Sequence, residues 1–106
     1  MVKVSVLYPN EEGKTFDMNY YCEKHLPMVR QLLGPSCINA GVEQGIAGGT
    51  PGSKAIYIAM GHLYFNKLED FVSSFNPNAN TIMGDLPNFT DITPVVQVSE
   101  VKIWWW

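Results

Sequence analysis

The chain has 106 residues, 46% of them hydrophobic, which is enough for one domain with one core. Its formal net charge is −3 at pH 7, and its seven Lys and Arg residues form no cluster. We therefore expect no nucleic-acid partner, because binding to phosphates requires concentrated positive charge. No apolar run approaches the ~20 residues that span a bilayer, so we predict no membrane partner either.

The N-terminus enters a strand pattern directly, so we expect no signal peptide. The two cysteines, Cys22 and Cys37, form neither a C-x-x-C motif nor a dense disulfide framework. Reduced thiols are typical of the cytoplasm. We therefore expect a cytoplasmic protein with both thiols reduced, and we expect Cys22 to be a small buried apolar residue.

The spacing of apolar residues predicts the first strand and the first helix. Residues 2–8 alternate between two faces and predict a strand, and residues 9–13 have the composition of a turn. Asp17 suits the N-cap of a helix over residues 17–33, which Gly34 and Pro35 end. At about 100° per residue this helix has one apolar arc. The arc contains Met18, Tyr21, Cys22, His25, Leu26, Met28, Val29, Leu32 and Leu33.

His25 is the one polar residue wholly inside this arc, and Tyr21 lies one turn before it. A histidine can act as an acid or a base near neutral pH, and a tyrosine can donate to a developing oxyanion. We therefore predict His25 and Tyr21 as catalytic residues. Tyr20 lies nearer the polar arc and is predicted to bind substrate. The alternative for His25 is a core histidine that makes one structural hydrogen bond.

Pro27 interrupts the predicted helix two residues after His25. Proline has no backbone N–H group, so the carbonyl near Glu23 loses its helical partner. The helix is therefore expected to kink beside Glu23 and His25, and a pocket could reach it at this point.

The remaining elements follow in a regular order. Residues 37–45 and 55–65 predict two strands joined by a glycine-rich hairpin loop. Residues 67–76 predict a second amphipathic helix, and residues 93–106 predict a long final strand that ends in three tryptophans. The order β-α-β-β-α-β is that of the ferredoxin-like plan, so we predict an α+β fold.

The third predicted strand, residues 55–65, is apolar on both faces. Helices in this plan cover one face of the sheet only, and a half-covered sheet should alternate apolar and polar residues. We therefore predict a homodimer in which a second copy covers the other face, which gives a dimeric α+β barrel. The run Trp104, Trp105 and Trp106 is predicted to join this interface, because three exposed rings would form a large apolar patch; ligand stacking is the alternative.

Met60, His62 and Tyr64 share one face of this third strand. If that face lines the interior of the barrel, the three side chains meet the ligand, and we predict them as substrate-binding residues. The alternative is that they only pack against a partner.

No residue pattern points to a metal or a cofactor. The two histidines have no companion acids at ligand spacing, and the pair Cys22 and His25 is too small a ligand set. Neither a phosphate-binding loop nor a dinucleotide fingerprint is present. We therefore predict a site that works without metal or cofactor.

Two motifs resemble those of the EthD-like family, which is named for a bacterial protein of ethyl tert-butyl ether degradation. The first is F-D-x-x-Y-Y-x-x-x-H-x-P at residues 16–27, and the second is LYFNKLEDF at residues 63–71. The resemblance implies one EthD-like domain over residues 1–106 with the dimeric α+β barrel fold. It assigns the paired tyrosines of the family to Tyr20 and Tyr21 and its histidine to His25.

The resemblance implies relatives among small barrel proteins that act as monooxygenases, isomerases, decarboxylases and cyclases. It also implies an association with oxidative xenobiotic breakdown in bacteria. We predict a small-molecule-binding protein of oxidative catabolism that is a cofactor-independent enzyme, either an oxidoreductase or a lyase or isomerase. Its substrate would be a small apolar or aromatic metabolite, with His25 as acid or base. Two alternatives stay open: a non-catalytic ligand-binding accessory protein for a catabolic oxygenase, and a module that only dimerises.

Overall fold

A computed structural model describes residues 1–105 and shows four strands with helices between them. The strands are β1 (Val2–Pro9), β2 (Cys37–Gln44), β3 (Tyr57–Phe65) and β4 (Val95–Glu100). Helix α1 is continuous and consists of Met18–Tyr20, a π-helical turn at Tyr21–His25, and Leu26–Leu33. Helices α2 (Leu68–Phe75) and α3 (Ala79–Gly84) follow β3, and short 3₁₀ turns lie at Gly34–Ser36, Asn76–Asn78 and Leu86–Asn88. The predicted ferredoxin-like α+β order is confirmed.

The four strands form one antiparallel sheet in the order β2-β3-β1-β4. Val4 lies opposite Leu63 on one side and Val98 on the other, and residues directly opposite each other share a face. The face that contains Val4 packs against the helices. The other face contains Ser5 and His62 as a pair. None of the described helices covers it, and it is called the open face below.

The core between helices and sheet has two parts. One is centred on Val4 and Phe65 of the sheet with Val29 and Leu33 of α1. The other is aromatic and consists of Tyr8, Tyr21, Ala59, Phe89 and Ile92. Asp17 is the N-cap of α1, as predicted, and its carboxylate accepts a hydrogen bond from the Tyr20 backbone N–H at 3.0 Å.

The π-helical turn in α1 replaces the kink predicted at Pro27. The N–H of Leu26 bonds to the carbonyl of Tyr21, five residues back, at the point where Pro27 withholds its own donor. Cys22, predicted to be buried, is exposed. It follows Tyr21 by about 100° around the helix, and Tyr21 is the residue that faces the sheet.

The final strand is shorter than predicted and ends at Glu100. The reason is the length of its neighbour: β4 pairs only with β1, and Glu100 already lies opposite Val2. One further hydrogen bond, from the Val101 N–H to the Met1 carbonyl, reaches the first residue of the chain, so β1 offers no residue beyond it for pairing. Trp104 and Trp105 therefore lie beyond the strand, and Trp106 lies outside the described residues.

Candidate active site

A cavity of about 370 Å³ lies between the helices and the covered face of the sheet. Almost all of its lining is apolar. The apolar side chains come from every layer of the fold and include Val4, Val6, Leu26, Val29, Leu63, Phe71, Phe75, Ile82, Met83, Leu86, Pro94 and Val96. The residues with polar side chains on its wall are Tyr8, Tyr21, His25 and His62, and both ring nitrogens of His62 are bonded to residues of the open face. A cavity with this composition is typical of a small-ligand site.

His25 is only 4% exposed, and its two ring nitrogens have different surroundings. Nδ1 lies 2.9 Å from Oδ2 of Asp85. Nε2 has no hydrogen-bond partner among residues 1–105. Since no fully buried polar side-chain atom in the described chain lacks a partner, Nε2 reaches open space, and the cavity provides that space.

Asp85 holds His25 in one orientation. Its Oδ1 accepts hydrogen bonds from the Tyr20 hydroxyl at 2.8 Å and from the Asn88 amide at 2.9 Å. Burial acts to raise the pKa of Asp85, but the hydrogen bonds from Asn88, His25 and Tyr20 outweigh it and hold that pKa below its ordinary value. An ionised Asp85 can only accept a hydrogen bond, so Nδ1 carries the proton and donates it to the carboxylate. In the neutral imidazole the lone pair then lies on Nε2.

Tyr21 and Tyr8 form a second polar centre on the cavity wall. Burial raises the pKa of Tyr8 to about 12, with the Tyr21 hydroxyl moderating the rise. Burial, followed by the neighbouring Tyr8 phenol, raises the pKa of Tyr21 much further. Both phenols therefore stay protonated at physiological pH and are available as hydrogen-bond donors.

The backbone positions Tyr21 in two ways. The π-helical turn stacks its ring on that of His25, with ring centres 5.6 Å apart and an angle of 17° between the planes. On the sheet side, Gly61 leaves room for its hydroxyl, since a Cβ atom at Gly61 would overlap the Tyr21 Oη. Tyr21 therefore fits between helix and sheet only because position 61 has no side chain.

The predicted site residues fall into two groups in space. His25 and Tyr21 lie together in the cavity wall, and Tyr20 lies behind them, bonded to Asp85. Met60, His62 and Tyr64 lie on the open face, because their positions on β3 alternate with those that face the helices.

His62 is held in a row of hydrogen bonds across three strands of the open face. Its Nδ1 lies 3.0 Å from the Ser5 hydroxyl, and its Nε2 lies 2.8 Å from Oε1 of Glu43. His62 borders the cavity through its place in the strand between Gly61 and Leu63. The sheet thus separates its imidazole from that of His25.

Asp85 and Tyr8 are the site residues that sequence reasoning missed. Asp85 lies 60 residues after His25 in a stretch that reads as loop. The sequence pattern places Tyr8 on the same strand face as Val4 and Val6, but nothing in the sequence distinguishes it from a core residue. Within residues 1–105, no group of three or more His, Cys, Asp or Glu side chains converges as metal ligands do.

The lowered pKa of Asp85 predicts how acid affects stability. Its bonded carboxylate stabilises the folded protein above the ordinary Asp pKa of 3.8, and this contribution is lost as the pH falls through the lower folded-state pKa. Asp85→Asn cannot titrate, so the unfolding free energies of variant and wild type, measured in urea from pH 7 to pH 3, should converge below about pH 4.

Tyr20→Phe gives a graded control, because it removes one of the hydrogen bonds to Asp85 and keeps the carboxylate. We expect it to reduce the acid sensitivity by less than Asp85→Asn does. A difference between Asp85→Asn and wild type that stays constant from pH 7 to pH 3 would contradict the role given to this carboxylate.

The fold and the cavity define a class of protein, the ferredoxin-like α+β domains with a ligand-sized space between helices and sheet. Residues 11–93 match the model of the EthD domain. The chain belongs to the EthD family. No significant match was found among curated proteins.

Solved structures show the same fold. An EthD-like protein from Ralstonia eutropha is 41% identical with a TM-score of 0.92, over 96% of this chain and 92% of that one. An EthD family protein from Bacillus halodurans is 21% identical with a TM-score of 0.72, over 95% and 98% of the two chains. A protein from Arabidopsis thaliana is 12% identical with a TM-score of 0.68 over the full length of both. The last two likenesses, at low identity, show the fold alone.

No helix among the described residues has the length and hydropathy needed to cross a membrane.

Proposed function

We propose that this protein is a cofactor-independent enzyme that binds a small apolar or aromatic molecule in the cavity and moves a proton with His25. The observation that supports this most directly is the His25–Asp85 pair, whose Nε2 opens into an apolar space without a protein partner. A buried histidine that only served the core would have no reason to leave one nitrogen unpaired beside a cavity.

The residues around the cavity suit proton transfer. Asp85 fixes the tautomer of His25 and stabilises the imidazolium that forms when Nε2 accepts a proton. The protonated hydroxyl of Tyr21 supplies a donor for negative charge that develops on the substrate. The apolar wall excludes water, which strengthens both interactions. Lyase and isomerase reactions need no more than this, and an oxidoreductase of this type would take its oxidant from solution.

A metabolite screen tests the proposal. Compounds that raise the melting temperature, together with any molecule that mass spectrometry finds in the purified protein, are the candidate ligands. Turnover of such a ligand by the wild type, lost in a His25 variant that still binds it, is the expected result. Binding without turnover would instead identify a ligand-binding accessory protein of a catabolic oxygenase.

We also infer that the protein is a homodimer joined through the open face of the sheet. Trp104 lies against Tyr64 on that side, with ring centres 5.1 Å apart, and is 45% exposed. Val95 of the edge strand β4 lies opposite Leu7 on the open face and is 50% exposed. Exposed apolar groups on this face favour burial by a second copy.

Met60→Glu should dissociate this dimer, since it introduces a charge at the centre of the open face beside Leu7. Val72→Glu is the matched control, because Val72 is 41% exposed on α2, away from the sheet. Light scattering should report twice the 11.9 kDa chain mass for the wild type and the control, and one chain for Met60→Glu. A wild type that stays a folded monomer at micromolar concentration would overturn the dimer.

The cellular setting is proposed from the family membership. A protein of oxidative xenobiotic catabolism in a bacterial cytoplasm agrees with the small cavity and with the absence of any basic cluster in the sequence. The likeness to an EthD-like protein from Ralstonia eutropha at 41% identity supports this setting. Deleting the gene and profiling the metabolites that accumulate would test it.

A further inference from the structure

The cavity has an electrostatic character that limits its ligands. None of the seven Lys and Arg residues is among the described residues that line it. The charge held directly behind the wall is negative, because the Asp85 carboxylate lies on the far side of His25, 2.9 Å from Nδ1. A carboxylate or phosphate placed in this space would lose its hydration, gain no cation and meet a like charge.

The hydrogen-bonding groups on the wall suit a ligand that has one acceptor oxygen and a proton to give. His25 Nε2 offers a lone pair and no proton while Nδ1–H is bonded to Asp85. Tyr8 and Tyr21 both keep their protons, and their hydroxyls are close enough to affect each other's pKa. Their rings lie 5.6 Å apart in an edge-to-face arrangement, so the two phenols form one donor centre on the wall. The wall therefore offers an acceptor at His25 and a phenol donor beside it.

We propose that the cavity selects an uncharged carbonyl compound and that His25 removes a proton from the carbon next to its carbonyl group. This inference rests on the proposed function, since it needs His25 to act as the base. In the proposed complex the carbonyl oxygen would accept a hydrogen bond from the Tyr21 hydroxyl and the adjacent C–H would face Nε2. The two side chains are neighbours in the cavity wall, with ring centres 5.6 Å apart. A cavity of about 370 Å³ lies at the small end of ligand sites, which suits a compound with one aromatic ring.

The step balances without any further reactant. The C–H bond breaks, its proton goes to Nε2, and its electron pair forms the C=C bond of the enolate. The π electrons of the C=O bond move to the oxygen, which the Tyr21 O–H stabilises. Return of the proton from Nε2 to the same carbon restores the substrate, and delivery to another carbon gives an isomer. In D₂O the returned proton is replaced by deuterium.

Deuterium exchange therefore tests the inference without knowledge of the net reaction. The probes are 1-phenylpropan-2-one and phenylpyruvate, which differ by a methyl group in place of a carboxylate. Proton NMR in D₂O follows loss of the benzylic signal with and without protein, and each rate is divided by its uncatalysed rate. We expect the ketone to be accelerated at least tenfold more than phenylpyruvate, and we expect this acceleration to disappear in His25→Asn.

Each of the other possible exchange results would refute a different part of the proposal. Equal or greater acceleration of phenylpyruvate that still depends on His25 would refute the choice of uncharged compounds and leave His25 as the base. Exchange of neither probe, in a protein whose screened ligand is turned over with His25, would refute enolisation while the proposed function stands. Exchange of the ketone that persists in His25→Asn would refute both.

Discussion

His25→Asn is expected to slow proton transfer at least 100-fold while the protein stays folded. General acid–base catalysis contributes about 10²–10⁴-fold, and the substitution removes the nitrogen that would provide it. The Asn amide can take the place of Nδ1–H as donor to Asp85, so the partly buried carboxylate keeps this partner. Deuterium exchange or turnover gives the rate, and urea unfolding gives the stability.

His25→Phe separates the two roles of the ring. It removes the base and also leaves Asp85 without one of its donors, so it should lose catalysis and also about 1–3 kcal/mol of unfolding free energy. His25→Asn should lose catalysis but keep its unfolding free energy. A His25→Asn protein that keeps its rate within about threefold of wild type would show that Nε2 is not the base.

The secondary structure was predictable because its signals are local. The apolar stripe of α1 and the alternation of β1 depend on neighbours within a few residues, and both elements lie where the pattern indicates. The proximity of His25 and Tyr21 was predictable for the same reason, since one helix carries both. Pro27 indicated an irregular helix, but the sequence did not say that a π-helical turn would resolve it.

The partner of His25 was not predictable, because it depends on tertiary structure. Asp85 comes from a loop after α3, and only the packing of that loop against α1 brings its carboxylate within 2.9 Å of Nδ1. The row of Ser5, His62 and Glu43 likewise depends on the register of three strands. Register is set by long-range pairing, so spacing in one chain segment gives no sign of it.

Gly61 has a role that only the structure reveals, because a glycine in a strand usually weakens it. A side chain at this position would occupy the place of the Tyr21 hydroxyl. Gly61→Ala should therefore force Tyr21 out of its position. Overpacking of this kind costs about 1–3 kcal/mol, which exceeds the ~0.5–1 kcal/mol that Ala normally gains over Gly in a strand.

Gly41→Ala is the matched control, since Gly41 lies opposite His62 on the neighbouring strand β2. A Cβ atom there meets only Oε2 of Glu43, at an ordinary contact distance of 3.5 Å. We expect this variant to unfold at the same urea concentration as the wild type or slightly higher. The comparison isolates the overlap with Tyr21 from the general effect of adding a methyl group to a strand glycine.

The double variant Gly61→Ala/Tyr21→Phe should be more stable than Gly61→Ala alone, because Phe has no hydroxyl to overlap the new methyl group. Urea unfolding of the four proteins gives the coupling energy, which we expect to be about 1–2 kcal/mol. Proton exchange should not recover with stability: loss of one oxyanion donor typically costs about 10²–10³ in rate, so the double variant should stay as slow as Tyr21→Phe. Additive stability effects would show that the Tyr21 hydroxyl does not lie against Gly61, and full recovery of the rate would show that it donates nothing to the reaction.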